Sequence, residues 1–226
     1  MAFYSIAIDG PSGAGKSTIA KRIAKQLGYI YVDTGAMYRA MALYFLRKNI
    51  NPSEIEKLEE ACKEVEISIR YVEGEQQVLL GEENVNAFIR AEEVGKMASN
   101  CSVNANVRLK LVELQRRLAE KENVVMDGRD IGTYVLPNAN LKVYLTASSQ
   151  IRAKRRYDEL TSKGIECNFD EIESDIIDRD YRDMNRDISP LYQADDAILV
   201  DSSDMTLDEV SSKIIELFHE KVSIVS

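Results

Sequence analysis

Five short, almost unbroken apolar runs lie along the chain, at residues 3–9, 29–33, 123–127, 141–145 and 197–201. Runs of that kind predict parallel strands covered on both faces, because a strand with one wet face would alternate instead. Apolar residues at helical spacing fill the stretches 17–27, 36–48, 107–121, 149–163 and 206–222. Strand and helix in alternation predict an α/β fold: a five-stranded parallel sheet with helices on both faces and right-handed crossovers. Ligands of such sheets collect beyond the carboxyl ends of the strands. Several of the runs end there in a polar residue, among them Asp9, Asp33 and Asp127, and Thr146 follows the fourth.

Residues 62–100 break this rhythm. Apolar and polar positions alternate over 65–71 and again over 77–81, on either side of Gly74, which predicts an antiparallel hairpin. Residues 82–87 can add a short third strand, and 88–98 read as a helix. Set between two helices of an α/β core, this is a small α+β insert. It carries four basic and eight acidic residues, so it is not a phosphate-binding patch by itself.

Composition narrows the function classes. The chain has 226 residues, 45% of them hydrophobic, which is enough for one large core. Its net charge of −9, from 29 basic and 38 acidic residues, argues against a protein that grips a nucleic acid through its phosphates. Cys62, Cys101 and Cys167 are odd in number and widely spaced, as expected of free thiols in a reducing compartment. Neither a signal-peptide pattern nor a long apolar run is present, so a cytoplasmic protein without a membrane span is expected. The one histidine, His219, sits near the end of the last helical stretch, which makes histidine-based catalysis improbable.

The strongest local signal follows the first strand: Gly10, Pro11, Ser12, Gly13, Ala14, Gly15, Lys16, Ser17 and Thr18. Between a strand and a helix, Gly-x-x-x-x-Gly-Lys-Ser is a phosphate loop (P-loop), which makes the fold P-loop NTPase-type. Its glycines let backbone N–H groups converge on phosphate oxygens, and the helix offers its positive end to the anion. Lys16 would reach the β- and γ-phosphates of a nucleoside triphosphate, and the Ser17 hydroxyl would face Mg²⁺. Asp127, closing the third apolar run, is placed to help hold that ion.

The remaining candidates are arginines among aspartates and glycines. Thr34 suits an N-cap for the helix carrying Arg39, which is placed for a second anion. Arg129 and Asp130 project from the glycine-flanked segment 127–133, where a plain surface ion pair is the alternative. Arg152, Lys154, Arg155 and Arg156 open one helix, with Arg152 and Arg156 on a shared face. In the segment 178–186, Arg179, Asp183 and Arg186 are expected on one face, although a solvated, salt-bridged helix fits its alternating charges too. Together the two segments read as a helical lid that brings cations to a transferring phosphoryl group and excludes water.

With these motifs in hand, the chain resembles the nucleoside monophosphate kinases and, among them, the bacterial cytidylate kinase family. The likeness rests on segments 10–18, 33–39, 127–133, 185–191 and 194–202 and runs from residue 3 to about 218. It implies one P-loop kinase domain with core 1–61, 101–148 and 190–226, a monophosphate-binding insert 62–100 and a lid 149–189. It implies ATP and CMP or dCMP as substrates, Mg²⁺ with the ATP, no nucleic-acid or membrane partner, and a monomer. By the same resemblance, segment 10–18 and Arg156 bind ATP, while Lys16, Arg129, Arg152 and Arg155 stabilise the transferring group. Ser17 and Asp127 serve the metal. Thr34, Arg39, Arg129 and Arg186 hold the CMP phosphate; Ser99, Arg108 and Asp130 read cytosine; Arg179 and Asp183 meet the sugar. The chain departs from many members in having Ser17 where they carry glycine, and Thr34 where serine is common. Rival readings are a kinase for AMP, UMP or a non-nucleotide, and a GTP-binding switch. The switch lacks its guanine-reading Asn-Lys-x-Asp string.

Overall fold

The computed structural model describes residues 3–223. The five apolar runs become β1 (Ser5–Asp9), β2 (Ile30–Asp33), β6 (Val124–Gly128), β7 (Leu141–Thr146) and β8 (Ile198–Asp201). They form one parallel sheet in the order β2-β6-β1-β7-β8. Side chains alternate between two cores. Ile6, Ile8, Val125 and Val143 meet Ile19, Ile23, Ile214 and Phe218 on the face covered by α1 (Lys16–Leu27) and α8 (Leu207–Ser223). Ala7, Val32 and Met126 meet Met37, Met41 and Leu111 on the face covered by α2 (Thr34–Arg47) and α5 (Ala105–Ala119). Strands that must be apolar on both sides are what the unbroken hydrophobic runs encode.

The insert folds as expected into a separate antiparallel sheet of β3 (Ile67–Val72), β4 (Glu75–Leu80) and a two-residue β5 (Glu83–Asn84). Its turn residues Glu73 and Gly74 both have positive φ, 53° and 80°, as a tight two-residue hairpin turn requires. The insert's helix, α4 (Glu92–Cys101), starts four residues later than the pattern indicated. A helix absent from the sequence reading, α3 (Ile55–Glu64), precedes the hairpin. It buries only Leu58, Ala61 and Cys62, so its apolar stripe is too thin to stand out among the charges. The segment expected to form a lid holds two helices, α6 (Ser149–Ser162) and α7 (Phe169–Asn185).

Two local expectations need correction. Asp33, not Thr34, caps α2: its carboxylate accepts from Ala36 N at 2.9 Å, and Thr34 is already helical. The Thr34 hydroxyl is instead committed to Asp127 O, at 2.6 Å. Arg186 does not share a helix face with Arg179 and Asp183, because α7 ends at Asn185 and Arg186 is extended, with ψ 143°. That break in the helix turns Arg186 toward Asp130.

Candidate active site

At the carboxyl edge of the sheet the loop after β1 wraps around its own lysine. Gly10, Gly13 and Gly15 all have positive φ. A Cβ on Gly10 would lie 2.0 Å from Leu145 O, so the chain can pass the neighbouring strand only as glycine. Gly15 caps α1 in a left-handed conformation, leaving the first N–H groups of the helix free to face an anion. Lys16 is 6% exposed and donates to Pro11 O at 2.7 Å, which folds its ammonium back into the loop. Burial, and then the charge of Arg129, lower its pKa well below that of an ordinary lysine. A buried cation of this kind gains by meeting an anion.

Asp127 lies beside that lysine and is 6% exposed. Ser17 Oγ donates to its Oδ2 at 2.8 Å and Tyr31 OH to its Oδ1 at 2.9 Å. Burial, reinforced by the charge of Asp33, raises its pKa to about 6. Asp9, at the end of β1, accepts from Ile131 N at 2.8 Å and Gly132 N at 2.7 Å. Burial outweighs these two bonds and raises Asp9 to about 6 as well. Its acceptors hold a π-helical turn, Ile131–Val135, which follows Asp130 and sets the direction in which Asp130 points.

On the α2 and α5 side, Arg129 and Asp130 turn away from one another. Arg129 Nε bonds Asp183 Oδ2 at 2.7 Å, linking the sheet edge to α7, while Asp130 pairs with Arg108. Burial favours a protonated Asp183, but Arg129, together with Arg179 and Arg186, outweighs this and leaves its pKa below the usual carboxylate value. The surface ion pair considered for Arg129 and Asp130 is therefore not what forms. Arg186 Nη2 stands 3.9 Å from the other oxygen of Asp130. Arg186 Nη2 and Arg108 Nε are buried donors with no hydrogen-bond partner among the described residues. Unfilled donors in a cleft are costly unless a ligand completes them. Arg39, Ser99 and Arg179 line the same cleft, and Arg39 Nη1 donates to Ile89 O of the insert at 3.2 Å.

The lid cations fall into distinct settings. Arg152 is buried: it donates to Ala147 O at 2.8 Å and Ser12 O at 2.7 Å, and pairs with Asp180 at 2.6 Å. Asp180 accepts in turn from Ser12 N at 3.2 Å, so both sides of the Ser12 residue are tied to the lid. Arg155 donates to Ser202 O at 2.7 Å. Arg156, although one turn from Arg152, is half exposed and pairs with Glu159 at 2.8 Å. Arg155 and Arg156 line the cleft.

Most of these groups line one cleft of 520 Å³, whose wall holds ten Lys or Arg residues and five Asp or Glu residues. A chain with net charge −9 has thus gathered a local excess of positive charge in one place. The cleft brings together Ser12, Gly13, Gly15 and Lys16 to Thr18 at one end, and Arg39, Ser99, Arg108, Asp130 and Arg186 at the other. Asp127, Arg129, Arg179 and Asp183 lie among them. Gly10, Pro11 and Ala14 shape the loop from behind. The sequence reading missed Tyr31, Asp180 and Arg90. Tyr31 reads as a core strand residue, and Asp180 is one of four aspartates in 178–187. Arg90 lies in the acidic insert, yet it bonds Asp33 Oδ2 at 3.1 Å on the cleft wall.

A parallel sheet with a phosphate loop after its first strand, cations at both ends of one cleft and an arginine-bearing helix pair beside it define a P-loop kinase. An uncharacterized protein from Eubacterium ventriosum has a similar fold, with a TM-score of 0.55 and 14% identity, covering 96% of this chain and 98% of that one. The profile of the cytidylate kinase family matches residues 6–220, and the chain belongs to that family. It is 50% identical to a cytidylate kinase of Caldicellulosiruptor saccharolyticus over 218 residues, 96% of each chain. It is also 44% identical to a cytidylate kinase of Bacillus subtilis over 217 residues, 96% of this chain and 97% of that one.

Proposed function

We infer that the protein transfers the γ-phosphoryl group of ATP to CMP or dCMP, giving ADP and CDP or dCDP. The observation that carries this is the pairing of a phosphate loop with a second anion site in one cleft, in a chain of the cytidylate kinase family. ATP lies along the loop 10–18, with Arg156 at its outer side. CMP lies at the other end, its phosphate between Arg39, Arg129 and Arg186, with Thr34 fixing the strand end beneath. Arg179 and Asp183 face the sugar. Arg108 and Asp130, with Ser99, present donors and an acceptor to the cytosine edge, whose N3 and O2 accept and whose amine donates.

The acceptor is a phosphate oxygen, already largely ionised near neutral pH, so no general base is needed. This accounts for chemistry in a cleft without histidine. The oxygen of CMP bonds to the γ-phosphorus while the bond to the β,γ-bridging oxygen breaks, and ADP leaves with that electron pair. Lys16, Arg129, Arg152 and Arg155 meet the charge on the transferring group; Arg152 does so from its place against the loop. Ser17 and Asp127, oxygen donors 2.8 Å apart, suit a hard cation that keeps most of its ligands as water and phosphate. Mg²⁺ bound there would neutralise phosphate charge. The core, insert and lid divide at 61/62, 100/101, 148/149 and 189/190. The reading also includes a cytoplasmic monomer without a nucleic-acid partner, and no helix among the described residues is long and apolar enough to cross a membrane.

A coupled ADP-release assay with CMP, dCMP, UMP and AMP tests this function. Turnover should be high with CMP or dCMP and at least tenfold less efficient with UMP and AMP. Faster turnover of AMP would move the protein to another acceptor class.

A further inference from the structure

One edge of the main sheet is β2, whose one strand neighbour among the described residues is β6. Ile30 faces β6, so the backbone groups of Tyr31 and Asp33 point outward, where an uncovered edge would have to rely on water. The insert covers them with side chains. Tyr71 OH donates to Tyr31 O at 3.0 Å, Gln76 Oε1 accepts from Asp33 N at 2.8 Å, and Gln76 Nε2 donates to Asp33 O at 3.4 Å. A primary amide offers the same donor and acceptor as a peptide unit. Gln76 therefore stands in for one residue of a missing neighbouring strand.

The spacing is specific. Tyr71 and Gln76 are directly opposite each other in the β3–β4 hairpin, and their targets are two residues apart on β2, on the same side of the strand. Asn86 braces the main chain that carries this amide, donating to the backbone O of Gln76 at 2.8 Å and accepting from Val78 N at 3.0 Å. Gln76 is buried with Val78, although it sits next to the hairpin tip.

What Gln76 holds is the start of the acceptor side. Asp33 caps α2, and its second oxygen takes Arg90 of the same insert. Arg39, in the second turn of α2, rests against α4: a Cβ on Gly95 would come within 3.0 Å of its Nη1. The insert thus grips α2 at its N-cap and at its cation.

We propose that Gln76 is a positioning residue for the acceptor-phosphate site, acting through Asp33 on the aim of Arg39. This deepens the reading of Arg39 as a ligand of the CMP phosphate and rests on it. The test is steady-state kinetics of Gln76→Met, which keeps length and loses both hydrogen bonds, beside Tyr71→Phe, which releases the same edge two residues away. Gln76→Met should raise KM for CMP about tenfold and leave KM for ATP within twofold, while Tyr71→Phe lowers Tm and leaves both KM values unchanged. If Gln76→Met and Tyr71→Phe lower Tm alike and neither moves KM for CMP, Gln76 is only a fold anchor and the proposal is wrong. Should Gln76→Met not fold, Asn86→Ala, which loosens β4 behind the amide, must raise KM for CMP selectively or the proposal fails. Arg39→Ala separates the two layers: an unchanged KM for CMP in that variant overturns the underlying reading, whatever Gln76 does.

Discussion

Lys16 and Asp9 are both buried charges, and they respond to opposite questions. Burial disfavours the ammonium of Lys16, which donates to Pro11 O within the loop. Replacing it by methionine removes an awkward cation from the free protein while removing β- and γ-phosphate stabilisation from the loaded one. Lys16→Met should therefore keep or raise Tm and lower kcat by about 10²–10³. Thermal melts beside the ADP-release assay check both halves, and near-normal turnover would remove Lys16 from the chemistry.

Asp9 instead reports on pH. Burial raises its pKa from 3.8 to about 6, so between those values the folded protein binds more protons than the unfolded chain. Its contribution is fully present below about pH 4 and is lost as pH rises to about 6. The loss is about 3 kcal/mol, at 1.36 kcal/mol per pKa unit. Urea melts across that window should show Asp9→Asn with a flatter pH slope than the parent. An unaltered slope would mean that Asp9 does not titrate there.

At the scale of elements, the phosphate loop was fully legible because its geometry depends on residues with no substitute. Gly10 passes 2.0 Å, in Cβ terms, from Leu145 O, and sequence displays that demand directly as glycine. The lid was legible only as a cluster of charge. Which arginine goes where depends on neighbours distant in sequence: Arg152 finds Ser12 and Asp180, whereas Arg156 finds Glu159 on its own helix. Arg155, on the cleft wall and bonded to Ser202, should be the lid residue most sensitive to the closed complex. Arg155→Ala is expected to lower kcat at least tenfold with KM for CMP within about twofold, while Arg156→Ala acts mainly on KM for ATP. Stopped-time assays at saturating CMP distinguish the two, and equal, negligible effects would reduce α6 to a salt-bridged scaffold. The cap of α2 illustrates a different limit. Asp33 and Thr34 are both good capping residues, and only the contact from Thr34 Oγ1 to Asp127 O decides between them.

Across the whole molecule, the sheet could be read from hydrophobic periodicity because its central strands β1, β6 and β7 are buried on two faces, whereas the edge strand β8 is apolar yet leaves Leu199 exposed. The edge contacts could not, since Gln76 and Tyr71 look like the surface residues of any hairpin until β2 is seen beside them. The site followed the same division. Residues at strand ends stand out in the hydrophobic pattern, whereas Arg108 entered only through the family resemblance and Arg186 as one of a charged cluster, because contacts between distant elements leave no trace in periodicity. Asp130 is the clearest case: it lies 5% exposed at the end of β6, paired with Arg108 of α5 and faced by Arg186 beyond α7. Three elements meet there, and the unfilled donors Arg108 Nε and Arg186 Nη2 sit around the same carboxylate. Base choice should therefore be concentrated in that pair, since uracil would set its O4 against Asp130 and its N3–H against Arg108. The most direct test is the ratio of kcat/KM for CMP to that for UMP in Asp130→Ala, with circular dichroism confirming the fold. The ratio should fall about ten- to a hundredfold, through a sharp loss of CMP efficiency and relief of the clash with uracil. A folded Asp130→Ala protein with an unchanged ratio would contradict the account.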